Sequence, residues 1–478
     1  MSRVRTVSGP RNTWSGLTVG TALRPEFGTT EYRTVELLGE GGQGQVWRVT
    51  PSRGAGPDYA LKWYFPDTAT DEQWQALSRL VEGGAPDARF LWPLELARAP
   101  GKEGFGYLMG LRSDTFSSMV DVMRRAVEPN FRTLATAGFE LADGFLQLHS
   151  RGLCYLDISF GNMFVQPEDG RILICDTDNV RVDGQAASIA GTPKFMAPEV
   201  IRDLLANRIP RPNRKTDLFS LSVLLFYMFM MHHPFEGRRE AEIACLDADA
   251  QNQLYGADPV FIFSPEDQSN RPDPGLHPNP LAFWPIYPQF LRDLFIRAFT
   301  MGVDNPDDGR VQESEWRKAM ANLRDAITNC SGCGLENFLD PMDPDGREAR
   351  TCWNCGAGLV NQARLTVEGI RGRVVALNAD TYLFPHHIEG DRYNFRQPLA
   401  VVDRHPHNPE IWGLKNLSTT TWKAIMPDDK RWDVPPGRSV TLTPDVRIEF
   451  GSKTGVIGGR VVAAGNLSRT GGSLDHEQ

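Results

Sequence analysis

CYLDISFGNMFV, residues 154–165, places Asp157 five residues before Asn162, after LHSRGL and before an apolar run. A carboxylate that can accept a proton and an amide oxygen that can ligate a cation sit at fixed spacing on one short loop. Eleven residues past the motif, RILICDTDNV carries Asp176, a second oxygen ligand. Alone, each of these reads as a loop-capping side chain. Together, in this order, they call for a search upstream for a partner that handles phosphate.

That partner is LGEGGQGQVWRV, Leu38–Val49, with Gly39, Gly41 and Gly44 in G-x-G-x-x-G spacing. A dinucleotide-binding loop shares the pattern but opens a helix. Here Val46, Trp47 and Val49 continue a strand, so the glycines sit at a hairpin tip where backbone N–H groups approach phosphates closely. Eighteen residues after Gly44, YALKWY puts Lys62 in a strand as the phosphate-contacting cation. Phosphoryl transfer needs an acceptor for a hydroxyl proton and oxygen ligands for magnesium. Asp157 fits the first role, and Asn162 and Asp176 fit the second.

With these motifs in place, residues 30–325 resemble the eukaryotic-type Ser/Thr protein kinases. GTPKFMAPE, Gly191–Glu199, looks like the end of their activation segment, and Asp217–Gly237 like the buried helix whose aspartate braces the catalytic loop. Arg310 stands where the family's late arginine pairs with the glutamate here at Glu199. Met109 falls at the gatekeeper position, with Gly110–Arg112 as hinge. The resemblance implies ATP and Mg2+, with Leu38, Gly39, Gly41, Gly44, Val46, Ala60, Lys62, Asn162 and Asp176 as the cofactor-binding set. It implies Asp157 and Lys62 as catalytic residues and protein Ser/Thr hydroxyls as acceptors.

The family signature H-R-D-L-x-x-x-N is altered to YLDISFGN. Tyr155 replaces the histidine. Leu156 replaces the arginine that reads a phosphorylated activation loop, so an RD-type switch is not expected. Ser159 stands in place of a lysine that contacts the γ-phosphate. DTD, Asp176–Asp178, replaces D-F-G, and Asp178 is expected to add a second carboxylate near the metal. The helix partner of Lys62 is open among Glu72, Gln73 and Glu82, with Glu72 preferred. The chemical positions are kept and the regulatory ones changed. The reading is an active kinase, and the alternative is a pseudokinase, an ATP-binding scaffold.

The 478 residues carry a net charge of −9 with no basic run, which argues against nucleic acid. The N-terminus lacks the apolar core of a signal peptide. The most apolar segment, Leu218–Met231, is too short for a membrane span. A cytoplasmic protein without membrane contact follows. Expected are a flexible extension at 1–28, a β-rich lobe at 29–111 with one helix near Asp71–Glu82, and a helical lobe at 112–328. Residues 236–285, rich in Pro, Asp and Asn, should form ordered turns.

Cys330-x2-Cys333-x18-Cys352-x2-Cys355 is a pair of knuckles, each followed by a glycine that permits the tight turn. Four thiolates in this spacing read as a structural Zn2+ site, a zinc ribbon at 329–358. Cys154, Cys175 and Cys245 read as buried or inert. Short strands then return over 363–466 as an all-β sandwich, ending in a disordered tail at 467–478. VPPGRSVTLTPDVRIEFG is similar to the closing strands of a forkhead-associated domain. Asn416, Ser418, Arg392 and Arg396 stand as loose matches for phosphothreonine readers. Binding of a phosphopeptide and binding of an unphosphorylated partner are both open. The fold class is therefore α+β: a bilobal protein-kinase fold, a zinc ribbon and a small all-β sandwich. The arrangement looks like bacterial kinases found beside phosphatase and von Willebrand A-type proteins.

Overall fold

The computed structural model describes residues 16–185, 191–339, 351–359, 363–369, 374–379, 381–389 and 393–459. The chain divides into two compact units. The first takes Met1–Val127, Asp143–Pro167 and Arg171–Leu224, and the second takes Glu128–Ala142, Glu168–Gly170 and Leu225–Gln478.

In the first unit, β1 (Ala22–Pro25), β2 (Tyr32–Glu40), β3 (Gly44–Pro51), β4 (Tyr59–Tyr64), β5 (Glu95–Arg98) and β6 (Gly106–Gly110) close an antiparallel barrel in the order β1-β2-β3-β4-β6-β5. Side chains alternate across a strand, and β4 shows what this does. Leu61 and Trp63 join the barrel core with Trp47, Val49, Ala97 and Leu108. Ala60, Lys62 and Tyr64 point the other way. The expected flexible extension is corrected in part. Residues 1–15 lie outside the described residues, but Leu17 and Leu23 are buried in the same core and β1 pairs with β2 and β5. Two leucines in an otherwise polar stretch are enough to anchor it.

Helix α1 (Asp71–Gly83) starts at Thr70, whose hydroxyl accepts from the Gln73 amide at 3.2 Å. It ends at Gly84, which takes a left-handed φ of 66°. Leu77 and Leu80 are its buried residues, and the Trp92 indole donates to the Leu80 carbonyl at 2.8 Å. After β6 the chain enters the long helix Phe131–Ser150, the hairpin Met163–Val165 with Ile172–Ile174, and the helix Arg214–Met230.

In the second unit, the helices Gln289–Phe299 and Glu313–Asp325 pack aromatic side chains, with Phe295 lying 5.1 Å from Trp316 and 5.2 Å from Phe226. Residues 236–285 are ordered turns with short helical pieces, as the composition predicts. Buried Asn270 donates to the Phe235 and Val260 carbonyls at 2.8 and 2.7 Å. The C-terminal residues form two antiparallel sheets. One has six strands in the order Val374–Ala376, Arg364–Val367, Thr454–Gly458, Arg447–Glu449, Trp422–Ile425, Arg431–Val434. The other runs Tyr382–Leu383, Ala400–His405, Asn408–Asn416, Ser439–Thr441. Leu365, Trp422, Ile448 and Ile457 from the first share one core with Val402, Leu414 and Val440 from the second.

Two polar links tie helix Glu313–Asp325 and the following strand to these sheets. Asp325 meets His387 Nε2 at 2.9 Å, while His387 Nδ1 accepts from the Phe384 amide at 2.8 Å. Asn378 donates to the Ile327 carbonyl at 2.7 Å. Burial pushes the Asp325 carboxyl up, but the His387 ring offsets this and the net position is below the ordinary range. The expected tail at 467–478 lies outside the described residues, as does Arg392. Among the described residues, no helix is long and apolar enough to cross a membrane.

Candidate functional site

The hairpin joining β2 and β3 has Gly41 and Gly42 at its tip, where an added Cβ would meet nothing within 4 Å. Gly44 is constrained for another reason: a Cβ there would sit 2.1 Å from the Trp63 carbonyl oxygen. It belongs to strand packing, while Gly39 and Gly41 keep the open backbone. Beneath the hairpin lies a cleft of about 620 Å³, whose walls include Leu38, Gly39, Val46, Ala60, Met109 and Asp176. Gly110, Leu111 and Arg112 line it too, where the hinge was expected, and so do Phe164 and Cys175, which sequence reasoning missed. Arg112 lies over the Phe164 ring at 4.4 Å, a contact that no local pattern announces.

Lys62, its side chain 8% exposed, reaches Asp176 in the wall of this cleft. Its ammonium lies 2.8 Å from Asp178 Oδ2, 3.1 Å from Asp178 Oδ1, 3.3 Å from Gln43 Oε1 and 3.5 Å from Asp176 Oδ1. None of Glu72, Gln73 or Glu82 partners it, which corrects the helix-partner expectation. Glu72 and Glu82 are solvent-facing. The Gln73 side chain instead donates to the Tyr64 hydroxyl at 3.1 Å and accepts from Arg181 at 3.3 Å. The reason lies in the buried face of α1, which carries Leu77 and Leu80 and no carboxylate.

Asp178 is corrected as well. It is 1% exposed, receives the Tyr64 hydroxyl at Oδ2, and receives the Tyr107 hydroxyl at Oδ1 over 3.3 Å. With Lys62 it forms a closed buried pair rather than a second open metal ligand. Burial drives the Asp178 carboxyl up, but the Lys62 charge and the hydrogen bonds from Lys62 and Tyr64 more than offset it, leaving it below the usual range. Burial likewise pulls the Lys62 ammonium down, and Asp178 and then Asp176 reverse that, so it ends above its ordinary value.

Asp176 stays accessible, its side chain 39% exposed, in the left-handed region at φ 51°. The Cys175 amide donates to the Asn162 carbonyl at 3.0 Å, which ties the segments carrying Asp176 and Asn162. Asn162 Nδ2 donates to Asp157 Oδ2 at 2.9 Å, leaving its Oδ1 as the available oxygen. Asp157 Oδ1 accepts the Thr192 hydroxyl at 2.7 Å. The donor set of Asp176 carboxylate and Asn162 carbonyl fits a hard cation such as magnesium.

Asp217 holds the loop from below. It accepts from the Tyr155 amide at 2.6 Å and the Leu156 amide at 3.1 Å, and meets His149 Nε2 at 2.9 Å. Leu156 takes φ 72°, an uncommon conformation for a leucine. Tyr155 is buried and donates its hydroxyl to the Cys175 carbonyl, so the aromatic replacement does more than fill space. Ser159 is buried too.

In the second unit the four thiols Cys330, Cys333, Cys352 and Cys355 lie within 4.8 Å of one another and could hold a metal ion. Cys330 and Cys355 Sγ are 3.5 Å apart, and Cys333 and Cys352 Sγ 3.6 Å. Sulfurs bound at roughly 2.3 Å to one tetrahedral centre would stand about 3.8 Å apart. The two knuckles are built alike. Gly334 and Gly356 take φ 75° and 73°, and their amides return to the Cys330 and Cys352 carbonyls at 2.8 and 2.9 Å. The Asn337 amide reaches Cys352 Sγ at 3.4 Å. Burial pushes that thiol up, but the amides of Cys355 and Asn354, with Asn337, bring it down to about 6. Cys154 is buried and Cys175 half-buried, but Cys245 is exposed.

Asn416 and Ser418 are not free to read a ligand. Asn416 Nδ2 donates to the Thr420 and Val434 carbonyls at 2.8 and 2.9 Å, and its Oδ1 accepts from both the amide and the hydroxyl of Ser418. Arg396 is exposed.

Comparison with known proteins bears on the site directly. Residues 116–274 match the protein kinase domain family. Protein kinase C-like 1 of Caenorhabditis elegans is 25% identical over 240 residues, 48% of this chain and 32% of that protein. CBL-interacting protein kinase 4 of Oryza sativa subsp. japonica is 30% identical over 224 residues, 44% of this chain and 47% of that protein. Protein kinase C delta type of Mus musculus is 32% identical over 108 residues, 22% of this chain and 15% of that protein. The chain thus spans less than half the length of these relatives. Residues 116–274, which include the Asp157–Asn162 loop, are thus similar to a protein kinase domain.

Proposed function

We propose that the chain is an ATP-dependent protein kinase acting on Ser/Thr hydroxyls of protein substrates, without an RD-type activation-loop switch. The observation that carries this reading is Asp157. Both of its carboxylate oxygens are fixed by neutral donors, Asn162 and Thr192, so it can orient an acceptor hydroxyl and take its proton. Lys62, with the Leu38, Gly39, Gly41, Val46 and Ala60 backbone and side chains, would hold ATP. Gly44 supports that hairpin. Asn162 and Asp176 would hold magnesium, which when bound supplies charge neutralisation at the phosphates. Leu156 offers no cation to a phosphorylated loop.

Incubation with magnesium-ATP and a generic protein acceptor tests this. Phosphate incorporation that disappears in Asp157→Asn supports catalysis. Equal silence of both proteins, with ATP bound by each, establishes the second reading, a pseudokinase scaffold. One observation favours that second reading: at Ser159 a small buried hydroxyl stands in place of a γ-phosphate cation.

The remaining parts of the proposal rest on likeness. The lobes at 29–111 and 112–328 are carried over from the resemblance, while the cysteine geometry supports a structural zinc ribbon at 329–358 and the two sheets with their common core support a forkhead-associated-like sandwich at 363–466. The sandwich would present a partner protein, since Asn416 and Ser418 are consumed internally. A bacterial, cytoplasmic setting beside a phosphatase and a von Willebrand A-type protein completes the reading.

A further inference from the structure

We infer that Asp178 is the positioning residue for Lys62, so that alignment of the catalytic lysine is carried by the metal-binding segment itself and not by helix α1. The inference rests on the kinase reading above. Three observations carry it. Asp178 lies in the short turn Thr177–Asn179 immediately after Asp176, so the lysine's counter-ion and the metal ligand move as one piece. The barrel supplies a dedicated socket for that carboxylate. Tyr64 shares a β4 face with Lys62, and Tyr107 is the cross-strand partner of Lys62 on β6, and both hydroxyls are spent on Asp178. Finally, α1 has no carboxylate on its buried face. Leu77 and Leu80 occupy that face, and Glu72 and Glu82 are turned to solvent.

A buried ammonium needs a carboxylate close by and fully hydrogen-bonded. The Asp178 socket meets that need without any movement of α1. The helix keeps one indirect link, Gln73, through the Tyr64 hydroxyl and Arg181. Arg181 also pins the turn by donating to the Asp178 carbonyl at 2.6 Å and the Val180 carbonyl at 2.8 Å. A kinase built this way holds its lysine in place whether or not a partner presses on α1.

The test compares full-length Asp178→Asn, Glu72→Ala and Glu82→Ala in phosphotransfer, each checked for fold by circular dichroism. Asp178→Asn should lose turnover at least thirtyfold, and the two helix variants should stay within twofold of wild type. Adding Gln73→Glu to Asp178→Asn returns a carboxylate beside the Tyr64 hydroxyl and should recover turnover at least fivefold, which a purely structural defect would not allow. Turnover within threefold of wild type in Asp178→Asn, or a loss of similar size in either helix variant, overturns the inference. If wild type transfers no phosphate, the kinase reading falls, and the inference is decided by calorimetry with magnesium and a non-hydrolysable ATP analogue. Affinity about tenfold weaker in Asp178→Asn sustains it; equal affinities overturn it.

Discussion

Replacing Asp217 removes the group on which the loop carrying Asp157 hangs. Its carboxylate is buried and takes two amides and one imidazole. Hydrogen bonds to a charged acceptor contribute about 1.5–3 kcal/mol each, and a buried donor left without a partner costs about 1–3 kcal/mol. Three donors are involved. Asp217→Ala should therefore cost about 4 kcal/mol or more, enough to unfold a marginal domain. Asp217→Asn is the sharper probe because it keeps the volume. One amide would then face an NH2 group, for a loss of about 2 kcal/mol. Leu156 at φ 72° costs roughly 1 kcal/mol on its own, and relaxes once its amide is released, which moves Asp157. Urea denaturation followed by circular dichroism measures the first effect, and phosphotransfer the second. An Asp217→Asn protein with an unchanged midpoint and unchanged turnover would refute the reasoning.

Three other outcomes are expected. Purified protein should contain one zinc per chain by elemental mass spectrometry, lost in Cys352→Ser; metal-free wild type refutes the ribbon. Gly44→Ala drives a Cβ against the Trp63 backbone, a contact that cannot yield like a flexible side chain, and should cost about 1–3 kcal/mol in thermal unfolding, whereas Gly41→Ala should cost less than half of that. Asp325 has its folded pKa depressed, chiefly by His387 acting against burial. Its contribution is thus present above the unfolded carboxyl value near ~3.9 and is lost as pH falls through the lower folded value. The Tm difference between wild type and Asp325→Asn should shrink as pH falls below about 4. A difference that grows on acidification would refute the sign.

The pairing of Asp157 with Asn162 was legible because a short local turn fixes their spacing, and Lys62 and Asp176 were legible as residue types in strand and turn context; the structure sets Asn162 on Asp157 and Lys62 beside Asp176. The paired cysteine knuckles were legible from their C-x-x-C spacing, glycines included. What stayed hidden depends on contacts between distant strands. Asp178 finds Lys62 only because β4 and β6 place Tyr64 and Tyr107 around it, and no spacing within DTD announces a socket 70 or more residues away. The alternation of Trp422, Lys423 and Ala424 is a readable strand signal, and these residues lie in the strand Trp422–Ile425. Leu17 and Leu23 were likewise a quiet signal that the barrel begins before residue 29. Asn416 could not be sorted by sequence, since an asparagine that closes a turn and one that greets a ligand have the same neighbours.

Asp176 and Asp178 share one turn, and this bears on which inhibitors the cleft will accept. A compound that requires the Asp176 segment to swing outward would drag Asp178 from its socket. It would leave Lys62 buried without a counter-charge and two tyrosine hydroxyls without an acceptor. Breaking such a pair costs about 3–5 kcal/mol, which is on the order of a hundredfold to several thousandfold in affinity. Compounds that fill the cleft and leave the turn at rest escape that penalty, so a screen against this protein should return them almost exclusively.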